Sequence, residues 1–224
     1  MLQQYAVYDD TYDDLVHTEN ALYNAKVTSL LHCAMFCLEY MRCLSYFHNS
    51  KTKDCSLHAI PFRNTVTVPS QFGDGWKFYL TEDRSGRCSS EDRFIYYRDL
   101  DFCYKTYDPL QVNVALFKQM CGEANAELVK VDTEEKQRYI ELLSDEFTVP
   151  WLCVQGTKTT DSEQRWTFDD GTLMTYFNWK PNQFQVAATG AGGVNLGISV
   201  SNNFTWFEIP NGVSDRNCVI ICQK

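Results

Sequence analysis

Residues 28–57 read TSLLHCAMFCLEYMRCLSYFHNSKTKDCSL, and this stretch carries the fold of the N-terminal half. Leu30, Ala34, Cys37, Leu38 and Met41 recur at helical spacing, and Thr28 or Ser29 can cap the start. Cys33 and Cys37 are four apart, so both sulfurs leave one helix face. Two sulfurs on one face need two partners, and Cys43 and Cys55 follow. The segment holding them reads as a strand, a polar turn at Asn49-Ser50-Lys51 and a second strand. The pattern predicts a helix stapled to a hairpin and leaves open which sulfur meets which.

The chain has 224 residues and ten cysteines: Cys33, Cys37, Cys43, Cys55, Cys88, Cys103, Cys121, Cys153, Cys218 and Cys222. An even count at irregular spacing fits a disulfide framework made in an oxidising compartment. Zinc is the rival, since His32, His48 and His58 lie near the first four cysteines, but no Cys-x2-Cys knuckle occurs. The length suits one large domain or two small ones. Hydrophobic content of 44% and aromatic content of 14% suffice for packed cores. A net charge of -9 argues against a nucleic-acid partner, because phosphates need a basic face. No run of about 18 apolar residues is present, so no membrane-spanning helix is expected. The sequon Asn203-Phe204-Thr205 is compatible with secretion and makes Asn203 a candidate glycosylation site. The opening MLQQYAVYDD has neither a basic nor an apolar signal region. For a secreted protein it reads as a mature form with Met1 in place of the leader.

A short polar stretch, Asp83 to Arg87, follows the strand-like run Trp76 to Leu80 and precedes a new cysteine. The expected organisation is a domain over 1–82, a linker over 83–87 and a second domain over 88–224. In the second, Asp108-Pro109 reads as cap and first turn of one helix, with Val112, Ala115, Leu116 and Met120 on one face. Asp132 with Glu135 reads as the capping box of another. Strands are expected at Glu127–Val131, Trp151–Gln155, Asn195–Val200 and Val219–Cys222. Helices followed by strands and long loops make the class α+β.

Two resemblances follow from these residues. Ser29, Cys33-Ala34, Cys37, Cys43, Tyr46-Phe47 and Cys55-x-Leu57 resemble the PAN/apple domain over about residues 1–82. That resemblance implies a helix stapled to an antiparallel sheet, bridges Cys33–Cys55 and Cys37–Cys43, and binding of proteins or glycans. In the second half, Cys88, Cys103-Tyr104, Phe117, Cys121, Ala126, Leu128-Val129, Trp151-Leu152-Cys153-Val154, Trp166-Thr167, Asp169-Asp170-Gly171-Thr172, Asn178-Trp179 and Ile221-Cys222 resemble a C-type lectin-like domain. It implies two helices, two small antiparallel sheets, a long loop, and bridges Cys88–Cys103 and Cys121–Cys222. The remaining Cys153 and Cys218 pair by elimination, with two buried thiols or an intermolecular role as the alternatives.

The sugar-binding version of that family holds calcium with oxygen ligands. Here the long-loop motif reads Lys180-Pro181-Asn182-Gln183-Phe184-Gln185, with Phe184 where the resemblance implies a cis proline. A cis bond before a non-proline residue costs about 2.5–4 kcal/mol, so none is expected there. The second motif reads Trp206-Phe207-Glu208, in which Phe207 cannot ligate. One carboxylate with two amides makes a poor calcium site, so no cofactor is favoured. A calcium site rebuilt from Gln183, Gln185, Asn195 and Glu208 is the alternative. The Gly-rich segment from Gln183 to Asn195 reads as a surface loop.

No Gly-x-Ser-x-Gly elbow, phosphate-binding loop or metalloprotease helix occurs, and adjacent Asp169-Asp170 reads as a turn more than an acid–base pair. The expectation is therefore not an enzyme. It is a secreted protein that recognises an extracellular glycan or protein, as in adhesion, without the usual calcium motifs. The candidate contact residues are Gln183, Phe184, Gln185, Asn195, Trp206, Phe207 and Glu208. A structural matrix or coat component and a calcium-dependent lectin are the other readings.

Overall fold

The computed structural model describes residues 4–63, 71–83, 86–88, 93–147, 150–159, 165–181, 194–210 and 213–224. Contacts divide the chain into two compact units, Met1–Cys103 and Tyr104–Lys224. The module boundary proposed at 83–87 is one of sequence grammar. By packing, the segment from Cys88 to Cys103 belongs to the first unit.

The first unit contains β1 (Gln4–Asp9), β2 (Leu15–Val16), β3 (Tyr23–Lys26), α1 (Leu30–Glu39), β4 (Ser45–Asn49), β5 (Asp54–His58), β6 (Gln71–Phe72), β7 (Trp76–Asp83) and β8 (Ile95–Tyr97). The main sheet has the order β1-β7-β4-β5-β3 and is antiparallel throughout. Ser29 caps α1, its side chain accepting from the backbone N–H of His32. Cys33 and Cys37 are the buried residues of the helix, and they bridge to Cys55 on β5 and to Cys43. The sulfurs pack with Val27, Tyr46 and Leu57 into one core. On the opposite face of β4, Phe47 joins Tyr12, Phe62, Phe78 and His58 in a ring cluster with centroids 5.0–6.1 Å apart.

After β8 comes Arg98, 6% exposed. Its Nη1 donates to the carbonyl of Leu38 at 2.7 Å, and its Nη2 donates to those of Cys37, Tyr40 and Cys43 at 2.7, 2.8 and 3.0 Å. A helix leaves its last carbonyls without partners. One guanidinium supplies them here and carries its charge to the negative end of the helix dipole. The Cys88–Cys103 bridge flanks the segment that delivers it.

The second unit follows β9 (Phe102–Asn113) with α2 (Val114–Glu123), β10 (Glu127–Leu128), α3 (Glu134–Leu143), β11 (Trp151–Lys158), β12 (Trp166–Thr167), β13 (Val194–Ser199), β14 (Thr205–Pro210) and β15 (Val213–Gln223). One antiparallel group runs β14-β13-β11 with β12 on β11, and the other runs β9-β15-β10. They meet where β11 and β15 pair in parallel, Leu152 with Val219 and Cys153 with Ile220. The Cys153–Cys218 bridge closes beside that junction, and Cys121–Cys222 ties α2 to the last strand. No cysteine is free.

Two helix starts differ from the sequence reading. Pro109 does not open α2 but lies within β9. Leu110 pairs with Cys218 and Tyr107 with Ile220, so Asp108 and Pro109 together face Val219. The missing proline N–H falls in this bulge, where no ladder bond is lost. Asn113 caps α2 instead, accepting from Leu116 N–H at 3.1 Å. Likewise Thr133, not Asp132, caps α3, accepting from Lys136 N–H at 3.2 Å. Asp132 pairs with the Lys136 ammonium at 3.2 Å.

Candidate functional site

The site is built from the strand ends of the β11-β13-β14 group. Side chains alternate between the faces of a strand, and directly paired residues share a face. Thr157 pairs with Asn195, Lys158 with Val194 and Trp166, Leu196 with Glu208, and Gly197 with Phe207. Lys158, Trp166, Leu196 and Glu208 therefore stand on one face. Thr157, Asn195 and Phe207 stand on the other.

On the first face the Lys158 ammonium lies 3.3 Å from Glu208 Oε1, and both side chains are only 4% exposed. The ammonium also sits 5.9 Å from the ring centre of Trp166. Trp206, one of the expected contact residues, is fully buried on this face. Its indole N–H donates to Gln137 at 2.9 Å, and its backbone N–H donates to the Asn178 carbonyl at 2.8 Å. The neighbouring Phe204 has φ of 57°, a conformation side chains rarely adopt. Gln137 and Asn178 both donate to its carbonyl, at 3.2 and 3.1 Å, and hold it there.

The second face carries a half-buried aromatic pair, Trp151 and Phe207, with ring centroids 4.4 Å apart. Arg216 from β15 is exposed, and its guanidinium lies 4.3 Å from the Trp151 centroid and 5.7 Å from that of Phe207. Gly197 makes room for this arrangement: a Cβ there would stand 2.4 Å from Phe207 Cζ.

Of the expected contact residues, Gln183, Phe184 and Gln185 lie outside the described residues. Asn195 is 8% exposed, and its Oδ1 is 3.5 Å from the Thr157 hydroxyl. Among the described members of that set, Phe207 alone combines a half-open ring with an exposed charged neighbour, Arg216. Asn203 is exposed, at the end of a short 3-10 turn. Asp169 pairs with Lys118, and Asp170 pairs with Lys130 at 2.9 Å. Hydrogen bonds from Thr172 and Lys130 hold the Asp170 carboxyl well below the usual range, so it carries no proton to donate. The sequence reading missed Lys158 and Arg216, isolated charges without a motif, and named Trp151 only within a motif of the lectin-like resemblance.

The described residues do not fit a calcium ion. Asn195 and Glu208 stand on opposite faces of the sheet, so they cannot converge on one ion. The Glu208 carboxylate already faces an ammonium. Among the described residues no group of three or more His, Cys, Asp or Glu side chains is placed to hold a metal.

Comparison with known proteins agrees with this architecture. Residues 10–75 match the family model of the PAN domain. The rest of the chain has a C-type lectin-like fold. A solved structure described as SPL-1 in complex with GlcNAc is similar at 19% identity and a TM-score of 0.50, covering 63% of this chain and 97% of that one. The calcium-independent C-type lectin SPL-2 from Saxidomus purpuratus is similar at 17% identity and a TM-score of 0.46, covering 61% and 93%. The carbohydrate-recognition domain of mouse scavenger receptor C-type lectin follows at 21% identity and 0.44, covering 55% and 88%. No curated protein matches. The chain thus carries a PAN domain over residues 10–75, followed by a unit with a C-type lectin-like fold. No enzymatic family is found among the matches.

Proposed function

We propose that the chain is a secreted recognition protein whose lectin-like unit binds a glycan or protein ligand on the Trp151–Phe207–Arg216 surface. The observation that carries this reading is the cluster itself: two half-buried rings under an exposed guanidinium. Aromatic faces stack on sugar rings and on partner side chains, and tryptophan and arginine dominate binding hot spots. Five disulfides support a route through an oxidising compartment. The first unit supports a protein partner of its own. Leu31, Met35 and Leu38 on α1, with Met41 beyond it, are 69%, 50%, 42% and 48% exposed. An apolar helix face of this kind suits a protein more than a hydroxyl-rich sugar.

The test is an array of glycans and extracellular proteins probed with the intact chain, starting from N-acetylglucosamine, the sugar in the similar complex. Trp151→Ala and Arg216→Ala should each weaken binding by about tenfold or more, the effect of losing a hot-spot side chain. Wild-type binding by both variants to every probe would move the site elsewhere.

A further inference from the structure

We propose that a cleft in the first unit is a second ligand site, one that takes the hydroxyl groups of a saccharide. Its cavity of about 510 Å³ is lined by residues of the first unit alone. Small-molecule sites run from about 300 to 1,000 Å³. Val7 on β1 pairs with Leu80 on β7, and Tyr5 pairs with Glu82, so Val7, Asp9, Leu80 and Glu82 share one face of the sheet. Phe78 is on the same face and pairs with Phe47, so the cleft lies away from the face that packs on α1. Val7 and Leu80 form an apolar floor, with the carboxylates of Glu82 and Asp9 towards its two ends. Asp10 follows in the 3-10 turn after β1, and the exposed Arg63 and Arg93 line the cleft as well. Several of these groups are already set in place. Asp9 Oδ1 accepts from the Thr11 N–H at 3.0 Å, and Glu82 Oε2 accepts from the Tyr5 hydroxyl at 2.5 Å. Phe62 and Arg93 have φ of 52° and 60°. The Tyr12 hydroxyl holds the first through its carbonyl at 2.5 Å, and Arg63 Nη1 holds the second at 3.2 Å. Strained backbone held by such bonds gathers at ligand sites, and a preset lining lowers the ordering cost of binding. The ligand class follows from the donor count. Carboxylates only accept and guanidiniums only donate. An anion drawn to the two arginines meets three carboxylates, and a cation drawn to the carboxylates meets two guanidiniums. A hydroxyl both donates and accepts, so a neutral polyol satisfies both kinds of group at once. The C–H face of a sugar ring suits the Val7–Leu80 floor. Nothing in this proposal depends on the Trp151–Phe207–Arg216 surface.

The experiment is calorimetric titration of the intact chain with glucose, galactose, mannose, N-acetylglucosamine, lactose and cellobiose. An acetylated Lys-Glu dipeptide serves as the charged rival. The proteins are the wild type, Asp10→Ala, Arg93→Ala and Trp151→Ala. At least one saccharide should bind. Asp10→Ala and Arg93→Ala should each weaken it about tenfold, the effect of losing a hydrogen bond to a charged group. Both side chains are exposed, so both variants should keep the wild-type thermal midpoint, and should one fail to fold the other decides. Trp151→Ala should leave this affinity unchanged. The affinity should also hold within about twofold between roughly 0.05 and 0.5 M salt, because a neutral ligand has no charge to screen. Binding by none of the saccharides, binding by the dipeptide alone, or wild-type affinity in both Asp10→Ala and Arg93→Ala overturns the proposal. Saccharide binding lost in Trp151→Ala and kept in the other two variants would strike this proposal and support the recognition surface of the lectin-like unit.

Discussion

Arg98→Ala is expected to destabilise the first unit by about 3–5 kcal/mol, because each buried carbonyl that loses its donor costs roughly 1–3 kcal/mol. The guanidinium is buried, and it donates to four carbonyls between Cys37 and Cys43. Alanine would take a donor from the carbonyls of Cys37, Leu38 and Cys43, while that of Tyr40 keeps the Cys43 N–H at 2.9 Å, and it would remove the positive charge from the helix end. The damage should centre on α1, whose Cys33 and Cys37 form the core against β4 and β5. Arg98→Lys should recover only part of the loss, because an ammonium on a flexible stem cannot span carbonyls that a planar fork reaches together. Chemical denaturation of the intact chain, followed by signals from the first unit, measures this. A loss below about 0.5 kcal/mol, the scale of ordinary surface substitutions, would show that the four bonds do not hold the helix.

Acid should weaken the same unit well before its carboxylates are neutralised. His58 is 1% exposed, with its Nε2 3.0 Å from the Ser56 hydroxyl and its ring against Phe47, Phe62 and His17. Burial, with the nearby His17 second, pushes its pKa down to about 3. His48 is shifted in the same direction by burial and by Lys53. In the unfolded chain a histidine takes its proton near pH 6.5. Between that pH and about 3 the unfolded state binds a proton that folded His58 refuses. Stability from this group is thus fully present above about pH 6.5 and is lost progressively as the pH falls. The whole interval is worth up to roughly 4–5 kcal/mol. Denaturation midpoints taken from neutral pH to pH 4 should fall steadily, and His58→Gln should flatten the slope. Equal slopes for wild type and variant, or a His58 ring signal titrating near pH 6.5, would contradict the assignment.

How much of this was legible in the sequence depended on whether the signal was local. The helix spacing of Cys33 and Cys37, with Ser29 ahead of it, marked α1 and its face, because periodicity and capping act within one turn. Pro109 misled for the same reason. Asp108-Pro109 has the chemistry of a helix start, but pairing with β15 had a bulge to offer, and the tertiary ladder overrode the local preference. The cap of α3 moved by one residue because Thr133 can serve as well as Asp132, and Asp132 had Lys136 to pair with.

The site was less legible. Glu208 was identified as the surviving carboxylate of a calcium motif, but nothing in the chain's order links it to Lys158, fifty residues earlier. Asn195 and Glu208 looked like members of one ligand set. Register puts them on opposite faces, and register is set by pairing across strands rather than by neighbours along one. Arg216 stacks on Trp151 from a strand that sequence reading began only at Val219. Strand ends are the part of a sheet that pattern reading places least well. Trp206 and Phe207 are adjacent in sequence, yet alternation buries one ring and leaves the other half open.

The central claim is that recognition runs through the Trp151–Phe207–Arg216 surface on a scaffold that uses no calcium. The most direct test is the binding curve of the intact chain for its best array ligand, measured once with calcium and once with chelator. The account predicts superimposable curves in the two conditions, both weakened about tenfold by Arg216→Ala. Binding that the chelator abolishes and calcium restores would contradict it.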